Sequence, residues 1–262
     1  MHPTQSQERI PDRLKTSINF KVLGLILVGA IIFQVLLFLD QGIGVVEEAQ
    51  PFIAMATPLL VACVALLIAL RYGLSEVFGK SYLVYGLANL SVFLAEFIYY
   101  AYDVVYEIDP YPSVADIFFF AVYPLIIFHI ILNFRFFKTK ITIKQKAILF
   151  AIPLIVTLVY SNYSLQEFGE ANFDFYYGLI FVAGASVTLS LAAFGALVFR
   201  GGILGTVWAL LLFGVLVFTI ADVWYYYLEV VGEYNLLHPV NLFWYISDWI
   251  VIYALYKHSK AI

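Results

Sequence analysis

A chain of 262 residues with 63% hydrophobic and only 12% charged positions carries more apolar surface than a soluble core can hide. Eight spans of about 20 residues use roughly 160 positions, so no separate soluble domain fits beside them. The net charge of −4 excludes the electrostatic footprint of a nucleic-acid partner and leaves the lipid bilayer as the main contact.

The first 20 residues form a polar cytoplasmic N-terminal tail without the short apolar core of a secretory signal. Apolar stretches follow at 21–39, 52–70, 81–102, 114–134, 147–163, 175–199, 203–228 and 239–257. Each is long enough to cross a hydrocarbon layer of about 30 Å. The predicted fold is all-α, a polytopic membrane helix bundle of eight transmembrane helices. It divides into a first four-helix repeat (21–134), a basic cytoplasmic loop (135–146) and a second four-helix repeat (147–257).

The basic residues fix the expected orientation. Arg9, Arg13, Lys15 and Lys21 precede the first span; Arg71 and Lys80 follow the second; Arg135, Lys138, Lys140, Lys144 and Lys146 follow the fourth. Arg200 follows the sixth, and Lys257 with Lys260 closes the chain, which accounts for all 14. Every one falls on one side if both termini face the cytoplasm, so an N-in/C-in protein of the cell membrane is expected. The opposite loops carry acids instead, among them Asp103, Glu107, Asp109, Glu170, Asp174 and Glu233. The single cysteine, Cys63, lies inside an apolar run and says nothing of redox compartment.

The two halves resemble one another. Ala95-Glu96, Tyr99-Tyr100, Asp103-Val104-Val105 and Glu107 recur 126 residues later as Ala221-Asp222, Tyr225-Tyr226, Glu229-Val230-Val231 and Glu233. A tandem four-plus-four duplication gives parallel copies, as in parallel-repeat transporters, because four spans return the chain to its starting side. Aromatic-rich helix ends that match by composition alone are the alternative.

Helical spacing gathers Asn89, Glu96, Tyr99, Tyr100 and Asp103 on one face of span three. It gathers Asp222, Tyr225, Tyr226 and Glu229 on span seven; Asn241, Tyr245 and Asp248 on span eight; and Asp116 with Tyr123 on span four. Spans three, four, seven and eight are therefore expected to line the interior, with the others facing lipid. At about 1.5 Å per residue, Glu96 sits roughly 7 Å and Asp222 roughly 10 Å outward of the midplane, and Asp248 near it. An ionised carboxylate there costs at least about 2.5–3.5 kcal/mol. Glu96 and Asp222 are expected to face each other, and an outer-half acidic pocket of Glu96, Asp222, Asp248 and Asp116, with Tyr99, Tyr226 and Tyr245, is the candidate site for a proton, a cation or a small ligand.

Simpler readings stand beside that one. Ser113-Val-Ala-Asp116 matches a capping box, in which Asp116 serves the start of span four. The tyrosines fit an interfacial aromatic belt, Glu96 and Asp222 fit interhelical hydrogen-bonding glue, and His129 fits a packing residue. The Arg135–Lys146 run follows from topology alone, with anionic lipid as its other reading. No catalytic motif is evident, although an acid dyad of Glu96 and Asp222 is of the residue type used in intramembrane proteolysis. Retinal is excluded because no lysine lies within a span, and a bis-histidine haem because His129 is the only histidine well inside one.

Residues 110–125, Pro-Tyr-Pro-Ser-Val-Ala-Asp-Ile-Phe-Phe-Phe-Ala-Val-Tyr-Pro-Leu, resemble a motif of the multi-pass regions that precede bacterial diguanylate cyclase or histidine kinase domains. The likeness is strongest over those residues and looser across the other spans. It implies a sensor-like, non-enzymatic input module for signal transduction and supplies no ligand residues. This sequence closes at Lys260-Ala261-Ile262 without an output domain, so a separate cytoplasmic or membrane signalling partner is expected. A proton- or cation-coupled transporter and a structural subunit of a membrane complex are the alternatives.

Overall fold

The computed structural model describes residues 18–40, 45–137, 140–199, 205–235 and 237–259. Among them the chain is all-helical: α1 (Phe20–Leu39), α2 (Val45–Tyr72), α3 (Val77–Tyr100), α4 (Val114–Phe136), α5 (Ile143–Phe168), α6 (Phe173–Phe199), α7 (Gly205–Val231) and α8 (Val240–Ser259). A π-helical turn, Ala101–Val105, continues α3.

Local chemistry sets the ends. The Asn19 side chain accepts from Lys21 N and starts α1. Ser113 and Asp116 form the expected capping box on α4. A second box, Thr142 with Gln145, starts α5 at Ile143 instead of at 147, because polar cap residues extend a helix beyond its apolar run. The far end of α5 reaches Phe168, and Gly169 closes it with φ +74°. Replacing Ser113 by Ala is expected to cost about 1 kcal/mol, readable as a lower melting temperature in detergent.

Seven helices, α1 to α7, are long and apolar enough to cross a membrane. The eighth, α8, has 20 residues but is diluted by Asn241, Ser247, Asp248 and Lys257. Its neighbours show how far it reaches. Gln50 and Thr57 of α2 bond to Tyr245 and Asp248, and Tyr72, at the end of α2, bonds to His258. Therefore α8 runs parallel to α2 from Tyr245 to His258. It runs antiparallel to α1, whose start donates from Asn19 N to Tyr253 Oη at 3.0 Å and whose Gln34 Nε2 donates to Leu237 O.

Helix α2 packs on α3 and α8, and α6 packs on α7 and α4, so these two arrangements correspond under the 126-residue shift. Helices α1 and α5 do not: α1 leans on α8, whereas α5 leans on α6. The corresponding junctions also trade glycine and leucine. Gly86 of α3 receives Leu66 of α2, while Gly195 of α6 receives Leu212 of α7, the position 126 residues after Gly86. Small residues of this kind let helices approach closely where no hydrophobic force drives them together.

The expected split between lining and lipid-facing helices needs correction. Only 17% of the apolar window of α1 and 11% of that of α5 is buried, but 44% of α2 and 50% of α6 is, against 56% of α7. Two peripheral helices thus flank a six-helix core. Leu25, Ile32, Ile148, Phe150 and Leu154 stand exposed on the peripheral pair. An apolar bundle with such faces is compatible with an integral membrane protein, in which they contact lipid.

Candidate functional site

Asp222 of α7 is buried and fully engaged. Tyr123 Oη of α4 donates to its Oδ2 at 3.1 Å, and Trp244 Nε1 of α8 donates to its Oδ1 at 2.9 Å. The carboxylate thus joins three helices, with one donor on each of its oxygens. Asp116 is similarly used. Its Oδ2 accepts from Ser113 N at 2.6 Å, and its Oδ1 accepts from Tyr177 Oη of α6 at 2.5 Å. Tyr226 stacks on Phe181 with ring centroids 4.9 Å apart. Beside them Tyr111 Oη donates to Asp174 Oδ1 at 2.8 Å, and burial together with that carboxylate holds the Tyr111 phenol above the ordinary tyrosine range. Tyr111, Asp116 and Tyr123 thus tie α4 to α6 and α7, which gives the 110–125 motif a packing role.

The other acids are differently placed. Glu96 of α3 is partly buried and lies within electrostatic reach of Asp248 of α8. Glu96 and Asp222 were expected to face each other; the α7 acid points instead between α4 and α8, where Tyr123 and Trp244 supply donors. Thr57 Oγ1 donates to Asp248 Oδ2 at 2.7 Å, and Gln50 Nε2 donates to Tyr245 Oη at 2.9 Å beside it. Tyr245 and Tyr234 both lie within electrostatic reach of Glu96. Tyr234, in the connection between α7 and α8, donates to Asn241 Oδ1 at 3.2 Å; burial first and then Glu96 hold its phenol above the usual range. Tyr99 is 42% exposed and faces Asp103, Glu229 and Glu96 at the acidic end.

Below the acid pair a cavity of about 10 Å³ is enclosed by α3, α4, α7 and α8, with Asp248, Ser247, Asn89 and Tyr85 as its polar lining. That is room for about one water with several polar partners. No family model, curated protein or solved structure matches the chain.

Toward the basic end lies a second polar cluster that the sequence did not bring together. His129 and His258 are both wholly buried and within electrostatic reach of each other. His129 Nδ1 is 2.8 Å from both the carbonyl oxygen and the hydroxyl of Ser81, and Asn133 Nδ2 donates to Ser81 Oγ at 2.6 Å. Its ring stacks on Trp208 at 5.4 Å. His258 carries a phenol on each ring nitrogen: Tyr82 Oη at 3.2 Å from Nδ1 and Tyr72 Oη at 2.6 Å from Nε2. His129 was visible as an isolated intramembrane histidine, whereas His258 sits beside Lys257 at the end of α8 and reads as part of a basic terminus.

Proposed function

We propose that the chain is an eight-span integral membrane protein of the cell membrane with both termini cytoplasmic. We further propose that it works as a sensor-like module that takes up a proton or a small cation between Glu96 and Asp248. The observation that carries this reading is that Asp248 lines a small polar cavity within electrostatic reach of Glu96 in a region without a compensating base. The stretches 22–70, 81–134, 147–199 and 201–256 contain no lysine or arginine. A pair of unsolvated charges in an apolar bundle is costly, and a bound proton or cation relieves both the desolvation and the repulsion.

The eight-span count is supported by α8 running beside α2 from Gln50 to Tyr72, which places it across the same layer. The four-plus-four origin is supported by the corresponding α2 and α6 arrangements, with α1 moved onto α8. The sensor assignment rests on the likeness of residues 110–125 to bacterial input regions and implies a signalling partner in the membrane or cytoplasm. The coupled-transporter reading draws on the cavity beneath the acid pair.

Thermal unfolding of the detergent-purified protein tests the site. The wild-type melting temperature is expected to shift between about pH 5 and 8 or with a divalent cation, and a Glu96→Gln, Asp248→Asn double variant is expected to lose that shift. Identical responses of the two proteins would make the acids packing groups and favour the structural-subunit reading.

A further inference from the structure

Helices α2, α3, α4, α6, α7 and α8 pack each on the next, and α8 packs back on α2, which closes a ring. The cavity of about 10 Å³ lies within that ring, walled by α3, α4, α7 and α8. Most of the wall is apolar, with Val92, Val122, Val215 and Phe218 among its residues. Its polar groups are Tyr85 and Asn89 of α3 and Ser247 and Asp248 of α8. Tyr85, Asn89 and Ser247 are buried, and Asp248 is the one charged residue in the lining.

The hydrogen bonds around the cavity leave oxygen lone pairs for an occupant. Ser247 Oγ donates its single hydrogen to Gly214 O at 2.9 Å, so only its lone pairs remain. Asn89 Nδ2 donates to Tyr85 O at 2.9 Å. A backbone carbonyl can only accept, so this bond fixes the amide and leaves Oδ1 as an acceptor. Thr57 Oγ1 of α2 donates to Asp248 Oδ2 at 2.7 Å and pins the carboxylate, while among the described residues no donor reaches Oδ1. Three side-chain oxygens, one of them anionic, thus border one water-sized space. A carboxylate held in an apolar bundle without a cation is costly, and a water molecule brings no charge to offset it.

We propose that this cavity is a sodium site, with Asp248, Asn89 and Ser247 as its side-chain ligands and Thr57 as the residue that positions the carboxylate. The assignment deepens the function proposed above and rests on that reading for uptake of a small cation at Asp248; Glu96 does not line the cavity. Charge and size select the ion. One unit of positive charge cancels one carboxylate, whereas a divalent ion would leave an excess charge against apolar walls. Calcium takes six to eight oxygens and magnesium keeps several of its waters, more than a space for one water-sized body holds. Potassium is larger and needs a wider shell of oxygens than this lining supplies. A bound sodium ion joins α3 to α8, and through Thr57 to α2, so its binding stabilises the ring.

The test is thermal unfolding of the detergent-purified full-length protein at a fixed, mildly alkaline pH in sodium, potassium and choline chloride of equal strength. Sodium is expected to raise the wild-type melting temperature saturably, by about 5 °C at about a hundredfold excess over its dissociation constant, and the other two salts to leave it unchanged. Asp248→Asn keeps the shape and is expected to abolish the rise. Ser247→Ala and Asn89→Leu are each expected to weaken sodium binding at least about tenfold, the low side of what a lost group in a metal site costs. Gly24→Val in α1, far from the ring interior, is the control that keeps the rise. Because a poorly folded variant also loses a thermal response, retention of radioactive sodium by the wild-type protein is measured beside it, with displacement by unlabelled sodium but not by potassium expected. Equal rises in the three salts, no retained sodium, or a rise that survives unweakened in both Ser247→Ala and Asn89→Leu overturns the site, as does a larger rise with a divalent cation. If a pH or divalent-cation shift that needs Glu96 and Asp248 persists in that case, the acid-pair reading stands and only the sodium assignment falls. If no such shift is seen either, both fall.

Discussion

Asp222→Ala is expected to lower the melting temperature of the purified protein markedly, whereas Glu96→Gln is expected to leave it unchanged or raise it. The two positions are 126 residues apart and equivalent in the sequence pattern, yet they do opposite things. Removing the Asp222 carboxylate strands Tyr123 Oη and Trp244 Nε1, two donors in a buried junction of α4, α7 and α8. Each stranded donor costs about 1–3 kcal/mol in water-soluble cores and less within membranes, so a total loss of about 2 kcal/mol is expected. Asp222→Asn retains one accepting oxygen but turns an N–H₂ group toward a donor, and falls between Ala and wild type. Among the described residues Glu96 has no such donors. Its substitution by Gln removes a carboxylate within electrostatic reach of Asp248 and strands no donor, so stability is expected to hold or rise. A neutral Asp222→Ala together with a destabilising Glu96→Gln would reverse the assignment of packing acid and site acid.

Much of the bundle was legible because apolar length and charge placement are properties of one helix at a time. The spans for α1 to α7, the capping box at Ser113 and the interior character of α3 and α7 follow from period and composition. What depends on rotation about a helix axis was not legible. The acidic stripes of α3 and α7 read alike, but Asp222 turns between α4 and α8 onto Tyr123 and Trp244, whereas Glu96 lies within electrostatic reach of Asp248. Nor does composition reveal that α2 and α6 are inner helices, since a helix packed among apolar neighbours needs the same residues as one facing lipid. His129, well inside α4, and His258, at the end of α8, lie within electrostatic reach of each other, although they are far apart in the chain and share no sequence pattern. The Ser81–Asn133 bond beside them shows the same limit: both are small polar residues that carry no signal until α3 and α4 are laid antiparallel.

The close approach of α7 to α8 carries the site with it, which makes Gly214 the most informative position away from the acids. A Cβ there would lie 2.5 Å from Val251 Cγ2 and 3.3 Å from Ser247 O, and Ser247 Oγ donates to Gly214 O at 2.9 Å. Backbone cannot yield as a side-chain tip can, so Gly214→Val must push α8 outward at the level of Ser247 and Asp248. Overpacking of this kind costs about 1–3 kcal/mol. Gly24→Val in α1, where a Cβ meets nothing within 4 Å, is the matched control and is expected to leave stability close to wild type. The two variants separate packing from function if the pH and cation response is measured with the melting curve. Displacing α8 moves Asp248 away from Glu96 and from the cavity, so Gly214→Val is expected to blunt the response as well as lower the melting temperature, while Gly24→Val alters neither. A destabilised Gly214→Val protein that keeps the full response would mean that the acid pair tolerates movement of α8, and that the glycine serves helix packing alone.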